Sequence, residues 1–250
     1  MARKGGDGLI KVIDSLMGSG KTTYIIRFMN ANPEGRYLFV TPYLAEAERI
    51  ARECPSLHFR QPTDVISKTV SLKMLLAEGE NIVISHELFS RQELTPKLYG
   101  MIQEYGYMLI LDEVLEVVQP IQNIKKSEVE MLFAQGWIEA DESGQVHWIH
   151  GNEPVSRFLD IRAKAQSKSL YWYDEKLLLW ILPMGLLQAF SQVVVLTFLF
   201  SGSHLKYFFD LHSMEYAYFH VREGFLQDGL PNMKESKREI AALIDLYQGT

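Results

Sequence analysis

The stretch from Gly8 to Asn32, "GLIKVIDSLMGSGKTTYIIRFMNAN", joins an apolar run to a helical pattern through a loop holding two glycines, a lysine and two threonines. Ser15 to Thr22 follow the P-loop pattern G-x-x-x-x-G-K-[ST], with serine in place of the opening glycine and Gly20-Lys21-Thr22 intact. A strand ending in such a loop, with a helix starting straight after it, aims backbone N–H groups and a helix N-terminus at one anion. A glycine-softened turn that happens to contain lysine is the bland alternative, and the placement between strand and helix argues against it. Few folds deliver this junction. The strand has to be buried beside parallel neighbours, with helices crossing between strands.

The N-terminal half keeps that order. "RYLFVTP", "NIVISH" and "YMLILDEV" are near-continuous apolar strands. Helical patterns at "YLAEAERIARE", at Lys68 to Glu78 and up to Tyr105 separate them, and "LHF" is a candidate short strand. Such a sheet is covered on both faces. "YMLILDEV" also supplies what a phosphate loop needs next, because Asp112 and Glu113 fall at the C-terminal edge of a buried strand, where ligands bind in open α/β sheets. A solvated strand end would explain the Asp-Glu pair alone; paired with the upstream loop it points to a nucleotide. The expected cofactors are ATP and Mg²⁺, held by Met17, Gly18, Ser19, Gly20, Lys21, Thr22 and Thr23. Lys21 would reach the β- and γ-phosphates, Thr22 and Asp112 would hold the metal, and Glu113 would polarise the attacking water.

After Val118 the pattern changes. A helix from about Ser127 to Gln135 leads into "GWIEADESGQVHWIHG", an alternating stretch turned at Glu-Ser-Gly that reads as a β-hairpin. A further helix, about Val155 to Ala165, precedes "SLYWYDEKLLLWIL". The sheet resumes at "VVVLTFLF", with a helix near Leu205 to Leu211 and a strand at "EYAYFHV". Residues 119–191 therefore read as an α+β insertion in a domain spanning 1–224, followed by a polar tail over 225–250.

Leu177 to Phe200 is long enough to test as a membrane span. Pro183, Gln188, Ser191 and Gln192 interrupt it, and a Leu-rich, helix-like half gives way to a β-branched one, so it reads as a short helix and a buried strand. Net charge is −6 and the sequence pI is near 5.7, so any groove for a polyanion has to be local. Cys54 is the single cysteine, which excludes disulfides within the chain and cysteine-rich zinc sites, and fits a reducing cytoplasm.

"MGSGKTT", "VTPYLAEAERI", "IVISHELF", "LILDEV" and "VVVLTFLFSG" fall in the order of motifs I, Ia, Ic, II and III of superfamily 2 helicases. In them the chain resembles a DEAD/DEAH-box-like helicase group of tailed bacteriophages, over roughly Ile10 to Tyr247. The resemblance implies a RecA-like P-loop NTPase domain, mostly parallel sheet with helices on both faces, and an ATP hydrolase in phage DNA replication or recombination. It implies DNA in preference to RNA as partner, no membrane, and the bacterial host cytoplasm as location. Thr41, Pro42, Ser85 and His86 would meet the nucleic-acid backbone, and Thr197 would couple hydrolysis to strand binding. N-capping and packing explain the first four residues equally well. The departures are plain: "LTFLF" keeps one hydroxyl where motif III has several, and Asp112-Glu113-Val114-Leu115 lacks the polar fourth residue of motif II.

The aromatics of "SLYWYDEKLLLW" and "HLKYFFDLHSMEYAYFHV" suit either base stacking or a core, and Lys164, Lys168, Lys176 and Lys206 are dispersed. The tail reads as a linker and, at "IAALIDLYQG", the start of a second RecA-like domain that would bring an arginine finger. Two other functions fit the loop: a nucleoside-kinase-like enzyme, and a nucleotide-dependent switch or regulator that binds a partner through the insertion.

Overall fold

The computed structural model describes residues 10–90, 96–151, 156–232 and 241. The first half runs β1 (Ile10–Asp14), α1 (Lys21–Ala31), β2 (Tyr37–Thr41), α2 (Leu44–Glu53), α3 (Lys68–Ala77), β3 (Ile82–Ser85), α4 (His86–Ser90), α5 (Pro96–Glu104) and β4 (Met108–Asp112). Next come β5 (Val118–Pro120), α6 (Lys126–Ala134), β6 (Ile138–Ala140), β7 (Val146–Trp148), α7 (Leu159–Gln166), β8 (Leu170–Tyr173) and β9 (Leu177–Ile181). The chain then returns through α8 (Met184–Ala189), β10 (Gln192–Thr197), α9 (His204–Leu211), β11 (Tyr216–Arg222) and β12 (Phe225–Asp228).

The main sheet has seven strands in the order β12-β11-β1-β10-β4-β2-β3. Every pairing in it is parallel except β11 with β12. Parallel strands lie in the interior of α/β layers, which is why β2 is buried at all five positions and β10 at five of six. Alternate residues feed two cores. Ile13, Phe39, Ile110 and Leu196 pack with Ile25 and Met29 of α1 and Ile50 of α2 on one face. Val12, Val40, Leu111 and Val195 pack with Leu72 of α3, Ile102 of α5, Leu187 of α8 and Phe209 of α9 on the other. This is a mixed α/β architecture with a mostly parallel central sheet and helices on both faces.

Between β4 and α8 the chain builds a unit with a core of its own: Val129, Leu132, Ile138, Val146, Phe158, Ile161, Leu170 and Leu178. Its sheets are antiparallel, β5-β9-β8 and the hairpin β6-β7.

Three local expectations change. Leu177–Ile181 is a strand, not the first half of a helix, because it closes a hairpin with β8 and also pairs with β5. The stretch Leu177 to Phe200 is thereby divided among β9, α8 and β10, and among the described residues no helix is long and apolar enough to cross a membrane. Phe225–Asp228, placed in the tail, is the antiparallel edge strand of the main sheet, turned at Glu223 and Gly224, both with positive φ. "LHF" forms no strand; a 3-10 turn at Pro55–Leu57 leads only to an isolated bridge between Arg60 and Ile82. Positions 233–250, the linker and supposed second-domain start, lie outside the described residues except for 241.

Candidate phosphate-binding site

β1 and α1 flank the loop from Ser15 to Gly20. Gly18 and Gly20 have φ of +76° and +88°, left-handed values that a side chain would strain. The first bond of α1 is Tyr24 N–H to the Gly20 carbonyl at 2.8 Å. The amides of Lys21, Thr22 and Thr23 precede it, so they have no partner within the helix and form the donor end of its dipole. α1 carries no side-chain N-cap bond. Met17 and Gly18 are exposed, and Ser19, Gly20, Thr22 and Thr23 partly so. The Ser19 hydroxyl is buried without a protein partner.

Lys21 opens α1, and its side chain turns back over the loop. Its side chain is 8% exposed and Nζ donates to the carbonyls of Ser15 (2.8 Å) and Leu16 (3.1 Å). Burial pulls its pKa below the ordinary lysine value, opposed by the carboxylates of Glu113, Asp112 and Asp14. An ammonium ion held by two neutral carbonyl oxygens makes a stronger, charge-assisted bond to an anion.

Asp112 closes β4, and the pairings β1–β10 and β10–β4 put it two strands away from Asp14. Neighbouring strands lie about 4.7–4.9 Å apart, so the acidic pair and the glycine loop share the C-terminal edge of the sheet, about two strand spacings from each other. Asp112 is pushed up to about 6, by burial first and then by Glu46 and Glu113, while Thr41 and Lys21 oppose the shift. Glu113 sits at φ +70° with its N–H on the Leu196 carbonyl at 2.8 Å. A non-glycine residue held in this region costs on the order of 1–3 kcal/mol, and such strain gathers at functional sites.

The residues expected to meet nucleic acid divide. Pro42 is exposed. Thr41 is 1% exposed and its hydroxyl donates to Asp112 Oδ2 at 3.2 Å. Ser85 Oγ accepts the Leu88 N–H at 3.1 Å and so caps α4. His86 Nε2 lies 2.9 Å from the Asp112 carbonyl, which can only accept, so this nitrogen carries the proton. Burial lowers the His86 pKa, opposed by the carbonyls of Asp112 and Val40. Thr197 is also 1% exposed, with its hydroxyl bonded weakly to the Phe198 carbonyl at 3.5 Å.

Two further residues fasten the loop: Ser15, where the pattern has glycine, and Asp14, which lies outside it. Ser15 Oγ accepts the Val221 N–H at 2.8 Å. The Asp14 carboxylate, 6% exposed, accepts the N–H groups of Leu199 (2.9 Å) and Phe200 (3.0 Å), tying the turn after β10 to the base of the loop. Their sequence signal is slight: two polar residues at the end of an apolar strand. Of the dispersed lysines, Lys164, Lys176 and Lys206 are paired with Asp160, Asp174 and Asp210. Among the described residues no three His, Cys, Asp or Glu side chains converge on a metal position.

Fold and site together define a mixed α/β protein with a lysine-bearing glycine loop and an acidic pair at one edge of a mostly parallel sheet. Residues 118–180, the unit between β4 and α8, match the family model described as YonV middle domain. The chain is 38% identical over 258 aligned residues to the SPbeta prophage-derived uncharacterized protein YonV of Bacillus subtilis (strain 168). That alignment takes in 96% of the chain, which spans 62% of the length of this curated relative. No solved structure matches significantly.

Proposed function

We propose that the chain is a RecA-like, Mg²⁺-dependent ATP-binding and ATP-hydrolysing domain of a helicase or translocase acting on nucleic acid, with DNA favoured over RNA. The observation that carries this is Lys21, buried at the start of α1 against the glycine loop, with Asp112 and Glu113 brought to the same sheet edge one strand beyond the neighbour of β1. The similarity to a prophage-derived protein supports a phage setting.

The residues present fit a Mg·nucleotide. Mg²⁺ keeps several waters and takes one or two carboxylates besides phosphate oxygens, so a site without a cage of three acidic side chains suits it. When bound, the metal would offset charge on the phosphates and on the partly buried Asp112 and Glu113 carboxyls. Lys21 would supply a point charge to the phosphates, and the amides of Lys21, Thr22 and Thr23 would donate to them. The Thr22 hydroxyl and Asp112 would hold the metal. Glu113, whose backbone is fixed by Leu196, orients a water. A second RecA-like domain, bringing an arginine worth about 10³–10⁵ in rate, belongs to the same proposal, and hydrolysis without it should be slow.

ATPase activity measured with and without single-stranded DNA, duplex DNA and RNA tests the reading. Stimulation by a nucleic acid supports it; Mg·ATP binding with phosphate transfer to a nucleoside would replace it with a kinase. A second reading, a nucleotide-dependent switch, draws on Thr41, Ser85 and His86, three expected strand contacts that bond inside the protein. Turnover that answers to a protein partner and ignores every nucleic acid would favour the switch.

A further inference from the structure

Thr41 ends β2, beside β4 in parallel register, with Val40 opposite Leu111, so its side chain falls next to Asp112. Its hydroxyl is the middle of a short chain. Tyr43 N–H points at Thr41 Oγ1 from 3.4 Å, and Thr41 Oγ1 donates to Asp112 Oδ2 at 3.2 Å. A hydroxyl can accept one bond and give one, and the first polarises the second. At one end of this chain lies a turn open to solvent, where Pro42 is exposed and Tyr43 is 68% exposed. At the other lies the partly buried carboxyl that the proposed function assigns to the metal. Pro42 has a fixed φ and no N–H, which removes one of the torsions through which the turn could absorb a displacement.

We propose that Thr41 is the positioning residue of Asp112, and that it relays contact at the Pro42–Tyr43 turn to the metal-organising carboxyl. The inference rests on the ATPase reading above. It moves coupling from Thr197 to Thr41. Thr197 is equally buried, but its hydroxyl reaches no acidic group among the described residues; its one bond, at 3.5 Å, is to the carbonyl of the next residue. The Thr41 bond occupies Oδ2 and so fixes the rotation of the carboxyl group, which decides where its other oxygen points. His86 holds the backbone of the same residue through the Asp112 carbonyl, so side chain and main chain are oriented from two neighbouring strand ends. A buried threonine also needs some partner for its hydroxyl, so a purely structural role has to be separated from this one.

The test is the binding of a fluorescent ATP analogue to the whole chain, followed by anisotropy while Mg²⁺ is titrated, in the wild type, Thr41→Val and Thr41→Ser. Partners that orient metal ligands are worth about 10–100-fold in metal affinity. Thr41→Val should therefore need about 10–100-fold more Mg²⁺, bind the analogue like the wild type without it, and keep its fold by circular dichroism. Thr41→Ser, which restores the hydroxyl, should return the wild-type requirement. A single-stranded oligodeoxynucleotide should shift that requirement in the wild type and in Thr41→Ser but not in Thr41→Val. Thr41→Ala repeats the comparison if valine disturbs the packing. An unchanged Mg²⁺ requirement in folded Thr41→Val or Thr41→Ala overturns the positioning role, and an equal oligonucleotide response overturns the relay. Wild-type protein that binds no analogue at any Mg²⁺ concentration sinks the ATPase reading first, and the inference with it.

Discussion

Ser15 Oγ accepts the backbone N–H of Val221 at 2.8 Å, joining the first residue of the glycine loop to a strand 206 positions away. The serine that departs from the P-loop pattern is therefore a fastening between β1 and β11. It is 2% exposed, so its partner amide has no water to fall back on. Restoring the consensus with Ser15→Gly should harm the protein. An unpaired buried amide costs about 1–3 kcal/mol, and denaturant unfolding should show a loss of that size. A Ser15→Gly variant as stable as the wild type would show that the bond contributes nothing.

Lys21 combines poor native energetics with good ligand chemistry. The fold lowers its pKa by burial, so its charged form is less favoured there than in the unfolded chain. Lys21→Met, which keeps the stem and removes the charge, should leave the empty protein at least as stable as the wild type. The same change should weaken Mg·ATP binding about 10–150-fold, the worth of a hydrogen bond to a charged group. Unaltered affinity in a folded Lys21→Met protein would remove the phosphate assignment.

Asp112 and Glu113 are neighbours in sequence with different surroundings. Asp112 is oriented by Thr41 and His86, whereas Glu113 is held by its backbone to Leu196 at φ +70°. Asp112→Asn should therefore raise the Mg²⁺ needed for nucleotide binding. Glu113→Gln should retain the nucleotide and lower single-turnover hydrolysis by about 10²–10⁴, the usual contribution of a positioned base. Wild-type turnover in Glu113→Gln would give the water to another group.

Much of the sheet was legible because its strands are apolar on both faces, and the loop was legible because glycines, lysine and threonine sit at a strand–helix junction. The Leu177–Ile181 strand was missed for a local reason. Its hairpin turns on Asp174 and Glu175, both at positive φ without a glycine or asparagine to announce it. The β12 strand did have a signal, Gly224 after an alternating run, but its polar composition resembled a linker. The bonds of Thr41 to Asp112 and of Asp14 to Leu199 and Phe200 span 71, 185 and 186 residues. Nothing local in the chain encodes such pairings; they follow from strand order alone.

The unit between β4 and α8 should lose stability in acid in a defined window. Glu128, in the first turn of α6, accepts Arg157 Nε and Nη2, both at 2.9 Å, and the Lys125 N–H at 2.8 Å. Those bonds, Arg157 first, hold its carboxyl down at about 2, against an ordinary 4.5. A depressed carboxyl stabilises the fold fully above its unfolded pKa and stops doing so as pH falls through the folded one. The contribution of Glu128 is thus complete above about 4.5 and fades toward about 2. Asp141, also at about 2 through Ser143 and His147, fades over a similar range, so the two must be separated by substitution. Glu128 is at the surface, where solvent and salt screen the pair, so the effect should be modest and smaller at high ionic strength. All four tryptophans of the chain, Trp137, Trp148, Trp172 and Trp180, lie within or at the edge of this unit, which makes their fluorescence its natural probe. Urea unfolding followed that way should give Glu128→Gln a lower stability than the wild type at pH 7, and a difference that narrows as pH approaches 3. A gap between the two proteins that stays constant from pH 7 to pH 3 would mean that the Glu128–Arg157 bond does not titrate as its geometry requires.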